Sequence, residues 1–125
     1  MKKKTVLTIG GSDPSGGAGI QTDIKAITSL NLHAAAIPSC ITVQNTQKVS
    51  RFQPVSKTLL QQQIDTLMED VPITYVKIGM LANKELIEVI ANLSHLIEPL
   101  TCRLRSLDTF HPHIGQWTVK IRLHL

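Results

Sequence analysis

Thr8-Ile9-Gly10-Gly11-Ser12-Asp13-Pro14-Ser15-Gly16-Gly17-Ala18-Gly19-Ile20-Gln21-Thr22-Asp23-Ile24-Lys25 is the stretch on which the reading of this chain turns. Five of the seven glycines fall in it, at 10, 11, 16, 17 and 19. Before them Lys4 to Gly10 has the β-branched composition of a short strand. After them Ile20, Ile24, Ile27 and Leu30 recur at the three-and-four spacing of an amphipathic helix. The order is strand, glycine loop, helix. Glycines allow positive φ and close backbone approach, and the start of a helix offers unpaired N–H groups to an anion or polar ligand. With Ser12, Asp13 and Ser15 among them, a ligand-binding loop is expected. Two familiar phosphate loops are excluded by their fixed offsets. No Gly-Lys-Ser/Thr follows the glycines, and a dinucleotide fingerprint begun at Gly17 would need its third glycine where Thr22 stands.

Outward from the loop the alternation continues. His33 to Val43 is a mostly apolar run, interrupted by Pro38, that reads as a strand buried on both faces. Arg51 to Val55 reads as a short strand. Leu60, Ile64, Leu67 and Met68 mark a second helix with Ser56 placed to cap it. Beyond Pro72, Tyr75 to Gly79 reads as another buried strand, and Leu86, Ile90, Leu93 and Ile97 as a third helix, capped by Asn83 with Glu85 in its first turn. Alternating strands and helices select an α/β layer with a largely parallel sheet.

Composition limits the class. In 125 residues, 42% apolar and 18% charged, there is material for one packed domain or part of one, so disorder as the main state is excluded. No apolar stretch approaches the roughly 18 residues of a membrane span. Met1 to Lys4 has the charge of a signal-peptide start, but the apolar part behind it is short and meets glycine at once, so export is not expected. Cys40 and Cys102 have no disulfide or zinc spacing, which fits a reducing, cytoplasmic setting. The net charge of +4 is scattered, and four aromatics, Phe52, Tyr75, Phe110 and Trp117, give little to stack bases on. Nucleic-acid and membrane partners are therefore not expected. Cys40 reads as a core residue without chemistry. His111 and His113 are too few to make a metal site.

The glycine segment resembles the opening of bacterial hydroxymethylpyrimidine/phosphomethylpyrimidine kinases, of the ribokinase-like superfamily. Thr42-Val43-Gln44-Asn45-Thr46 and Lys77-Ile78-Gly79-Met80-Leu81 agree with that family in order and spacing, and the likeness runs from about Thr5 to about Leu96. It implies a ribokinase-like fold, here a partial doubly wound, mostly parallel sheet with flanking helices. It also implies phosphorylation of 4-amino-5-hydroxymethyl-2-methylpyrimidine and its monophosphate in thiamine biosynthesis, with ATP and Mg2+. By resemblance Gln44 contacts the pyrimidine, and Gly11, Asp23 and Met80 line its pocket. From the residues alone, a carboxamide such as Gln44 can match a ring nitrogen and an amino group, although a turn would also use it. A helix-start role would account for Asp23, and core filling for Met80. All three motifs follow strands, where open α/β sheets bind ligands.

Residues 98–125 break the pattern. His111, His113, His124, Trp117 and four basic residues crowd into them, and Pro99 and Pro112 argue against regular structure, although Thr118 to Leu125 alternates weakly like a strand. Gly115 is their only glycine, so the second glycine loop that the family uses for phosphoryl transfer is not found. The resulting expectation is 1–97 as the amino-terminal half of a kinase domain and 98–125 as a divergent, irregular tail. It includes a truncated product with impaired catalysis, no catalytic or metal residues in this chain, and self-association through surfaces that the other half would cover. Two alternatives stand beside it: another ribokinase-like kinase, such as one for pyridoxal, and a non-enzymatic pyrimidine-binding module.

Overall fold

The computed structural model describes residues 2–93, 109–111 and 116–118. Strand β1 (Thr5–Ser12) leads through the glycine loop into helix α1 (Gly19–Ser29), then β2 (His33–Gln44), β3 (Val49–Pro54), α2 (Lys57–Met68), β4 (Tyr75–Ile78) and α3 (Lys84–Leu93). The sheet has the order β3-β2-β1-β4. β1 lies parallel to both β2 and β4, and β3 is antiparallel to β2. The fold is α/β, with a mixed, mostly parallel sheet flanked by helices.

The periodicities account for helices on both faces of the sheet. Alternate residues of a strand face opposite sides. Leu7 and Ile9 of β1, Ala35 and Ile37 of β2, and Val76 and Ile78 of β4 join Leu60 and Ile64 of α2 and Leu86, Val89, Ile90 and Leu93 of α3 in one buried core. Thr8, between Leu7 and Ile9, faces the other way, towards α1, where it meets Asp23. Ser56 caps α2 by accepting from the Leu59 N–H at 3.0 Å, and Asn83 Oδ1 accepts from the Leu86 N–H at 3.0 Å at the start of α3. α1 ends at Ser29, and just beyond its Leu30 cap Asn31 has a left-handed φ of 58°, a conformation that Asn tolerates better than most residues.

The structure departs from the sequence reading at several points. β2 is not buried on both faces along its length: Ile41 and Val43 are about half exposed, at the end of the strand where the pairing with β1 stops at Ile41 and the antiparallel pairing with β3 continues to Gln44. Pro38 pairs with Gly10 and stands directly beside the register shift between β1 and β2, where the ladder is already interrupted. The third helix ends at Leu93 within the described residues, and its expected extension to Ile97 lies outside them. Within residues 98–125, Thr109–His111 and Gln116–Thr118 form two short strands, β5 and β6, paired antiparallel. The remainder of residues 98–125, including the weak alternation after Thr118, lies outside the described residues.

Candidate functional site at the strand ends

β1 ends on Gly10-Gly11-Ser12, and the chain segments that leave β2 and β4 close around that end. A Cβ on Gly11 would lie 3.8 Å from Met80 Sδ and 3.9 Å from Cys40 Sγ, so residues from three elements meet at one point. Gly10 is held as tightly: a Cβ there would stand 3.5 Å from Gly79 Cα and 3.7 Å from the Met80 nitrogen. The Gly79 N–H donates to the Ile9 carbonyl at 2.7 Å, which carries the β1–β4 pairing one residue beyond β4. The Ser39 hydroxyl donates to the Met80 carbonyl at 2.6 Å. On the neighbouring side the Thr42 hydroxyl donates to the Ser12 carbonyl at 2.6 Å and lies 3.1 Å from Gln44 Oε1. One hydroxyl proton cannot serve both acceptors fully, so the Gln44 amide retains hydrogen-bonding capacity for a ligand. Gly11, Gln44 and Met80 thus lie along the same ends of β1, β2 and β4.

Asp23 sits differently from the helix-start role its position suggested. No acidic residue lies in the first turn of α1, and the helix N-cap is Ala18. Asp23 Oδ2 accepts from the Thr8 hydroxyl at 2.6 Å and from Lys77 Nζ at 2.7 Å, tying α1 to β1 and β4. Its carboxylate is 17% exposed beside a half-exposed ammonium. Oδ1 is then the atom through which any ligand contact would run.

The glycine loop binds an anion, and that anion belongs to the loop. The Asp13 carboxylate accepts from the Ser15 hydroxyl at 2.7 Å and the Ser15 N–H at 2.9 Å, and the Asp13 N–H donates to Gln21 Oε1 at 2.8 Å. The Gly16 N–H donates to the Asp13 carbonyl at 3.0 Å. The Ser15 hydroxyl, helped by the N–H groups of Ser15, Ala18 and Gly17, holds the Asp13 carboxyl below its ordinary value against the opposing effect of burial. Two of the amides that composition offered to an incoming ligand, those of Ser15 and Gly16, are thus taken up by Asp13. Sequence reasoning counted Asp13 as part of a ligand loop, and no local pattern showed which way its side chain turns.

A carboxyl whose folded value is depressed adds stability above its unfolded value, near 4, and loses it as pH falls through the lower folded value. Wild type should therefore lose its stability margin over Asp13→Asn below about pH 4. Urea midpoints of the two proteins between pH 7 and pH 3 would show it, and a margin that stays constant with pH would refute the assignment.

Cys40 is a free, fully buried cysteine whose thiol burial pushes upward, so it stays protonated and acts as filler beside Gly11. Among the described residues no group of three His, Cys, Asp or Glu side chains could hold a metal ion. No helix among them is long and apolar enough to cross a membrane.

A glycine-rich β1 end backed by Met80 and flanked by Gln44 can be compared with known proteins. The family model described as phosphomethylpyrimidine kinase matches residues 13–101. This chain belongs to the phosphomethylpyrimidine kinase family. It is 43% identical over 84 residues to the hydroxymethylpyrimidine/phosphomethylpyrimidine kinase of Aquifex aeolicus, covering 67% of this chain and 33% of that protein. The crystal structure of phosphomethylpyrimidine kinase from Clostridium difficile superposes with a TM-score of 0.73 at 38% identity, over 78% of this chain and 42% of that one. A pyridoxal kinase from Staphylococcus aureus in complex with AMP-PCP and pyridoxal gives 0.69 at 28% identity, over 78% and 37%. The fold is therefore ribokinase-like, as the sequence motifs implied. The chain spans about a third or less of the length of the curated relatives it matches.

Proposed function

We propose that this member of the phosphomethylpyrimidine kinase family binds 4-amino-5-hydroxymethyl-2-methylpyrimidine at the ends of β1, β2 and β4, as the substrate-binding part of a thiamine-biosynthetic kinase. The observation that carries the reading is the approach of Met80 and Cys40 to Gly11, with the Gln44 amide held at the same end of the sheet through Thr42 and Ser12. An apolar floor with a carboxamide at its rim suits a flat ring that carries an amino group. Gly11, Gln44 and Met80 are assigned to the pyrimidine, and Asp23 to holding α1 in place with only Oδ1 left for the ligand. Residues 1–97 form the binding unit in this reading, residues 98–125 take no part in it, and the setting is the cytoplasm, in keeping with a reduced Cys40.

ATP and Mg2+ are the co-substrate and ion expected of such a kinase. The glycine loop does not suit the triphosphate: its Ser15 and Gly16 N–H groups are taken up by Asp13, whose carboxylate is a negative charge that repels phosphate. A second reading, a kinase for pyridoxal, rests on the likeness to the S. aureus enzyme.

Calorimetry with hydroxymethylpyrimidine and pyridoxal decides between them. Wild type should bind the pyrimidine more tightly, and Gln44→Ala should weaken that binding by about 1–3 kcal/mol, the cost of leaving a polar partner unsatisfied in a closed pocket. Equal affinities for wild type and Gln44→Ala would remove Gln44 from the site. Tighter binding of pyridoxal would favour the second reading.

A further inference from the structure

We propose that Ser39 is a positioning residue for the pocket: its hydroxyl sets the Met80 turn against Gly11 and so fixes how deeply an aminopyrimidine alcohol can enter. This rests on the reading of the strand ends as the pyrimidine site.

Three observations carry it. Gly10 pairs with Pro38 and Gly11 with Cys40, so Ser39 is an extra residue on β2 with no partner on β1. Such a bulge re-aims a side chain and is uncommon between parallel strands. Secondly, the Ser39 hydroxyl reaches past β1 to a residue 41 positions later and donates to the Met80 carbonyl at 2.6 Å. β2 and β4 are not neighbours, since β1 lies between them. This is therefore a cross-link over the end of β1, at the point where two glycines leave room. Thirdly, Ser39 is fully buried, and its own carbonyl accepts from the Val55 N–H at 2.9 Å, which anchors the bulge to the chain beyond β3. A buried hydroxyl aimed at one carbonyl restricts that carbonyl to one place, and the Met80 side chain that faces Gly11 is restricted with it.

Local spacing along the chain does not single out Ser39. Only the register shift shows that it is aimed.

The test uses the 125-residue chain and two readouts. The first needs no ligand. In protein carrying 13C-methyl methionine, the Met80 methyl signal, assigned by its loss in Met80→Ala, should shift or broaden in Ser39→Ala and return towards wild type in Ser39→Thr, which keeps the hydroxyl. The second is affinity for hydroxymethylpyrimidine by calorimetry. Ser39→Ala should weaken it about tenfold, Ser39→Thr should recover most of the loss, and Ser39→Ala should cost nothing further in a Met80→Ala background. A purely structural serine would lower the melting temperature yet leave the Met80 signal in place and the affinity of the folded protein unchanged. Either an unmoved signal or a loss that adds in full to that of Met80→Ala would overturn the proposal. If Ser39→Ala does not fold, Ser39→Cys, similar in size but a weak donor, takes its place in both readouts. Wild type that binds no pyrimidine would sink the pocket reading itself, a result distinct from wild-type binding that Ser39→Ala leaves unchanged.

Discussion

Gly19→Ala should destabilise the fold more than any other glycine substitution in the loop. Gly19 has a φ of 63°, and a Cβ placed there would collide with the Gly11 carbonyl oxygen and stand 3.1 Å from the Asp13 nitrogen. The left-handed conformation alone costs an L-residue about 1–2 kcal/mol. Overlap with backbone atoms adds about 1–3 kcal/mol more, because both belong to the packed end of β1 and cannot swing aside as a flexible side chain would. Together these reach a large fraction of the about 5–15 kcal/mol that stabilises a typical domain. Gly17→Ala is the control. Its φ is not in the left-handed region, and its Cβ would make ordinary contacts of 3.7 Å with Asp13 Oδ2 and 3.8 Å with Ser15 Oγ. Urea denaturation should show Gly17→Ala close to wild type and Gly19→Ala largely unfolded or with a much lower midpoint. Equal midpoints for the two variants would show that the β1 end yields more easily than its contacts indicate.

The second large effect is catalytic. These 125 residues by themselves should phosphorylate hydroxymethylpyrimidine at least about a thousandfold more slowly than the roughly 1–100 per second of kinases. Phosphoryl transfer rests on positioning and on neutralising charge, and single groups of that kind are worth about a hundred- to a thousandfold each. The Ser15 and Gly16 N–H groups of the glycine loop are taken by Asp13, no Gly-Lys-Ser/Thr follows the glycines, and Gly115 is the only glycine after residue 97. Binding is expected to persist where turnover does not. β4 is an edge of the sheet among the described residues and Ile41 and Val43 are exposed, so the chain should also self-associate. A coupled ATPase assay beside a complete enzyme of the family, with light scattering on the same sample, measures both. A monodisperse monomer turning over near 1 per second would show that catalytic groups exist where none has been assigned.

Much of the fold was legible locally. Ile20, Ile24 and Ile27 mark α1, and the buried face of α3 falls on Leu86, Ile90 and Leu93 as their spacing predicts. The caps Ser56 and Asn83 do what their positions suggest. Helix periods and caps involve residues three or four apart, so the sequence contains both partners within one turn. The direction of β3 was not legible, and neither was the exposure of Ile41 and Val43, because an apolar run does not say which neighbour will cover it.

The site divides along the same line. Gly10, Gly11, Gln44 and Met80 stand out because each lies at or just beyond the end of a strand, and in an α/β sheet parallel strands must bring their ends to one side. What these ends do to one another is a matter of contacts between residues far apart in the chain. Asp23 reaches Lys77 across 54 residues, and Ser39 reaches Met80 across 41. Whether Asp13 turns into its own loop or out towards a ligand depends on how α1 packs, through Gln21 and the amides of Gly17 and Ala18. The sequence by itself determined the strand, the glycine loop, the helix and the residues that arrive at the sheet's end, since those follow from local spacing and chain direction. Only the tertiary structure decided which of them are already satisfied by the protein and which remain available, because a hydrogen bond is settled by distance in space and not by separation along the chain.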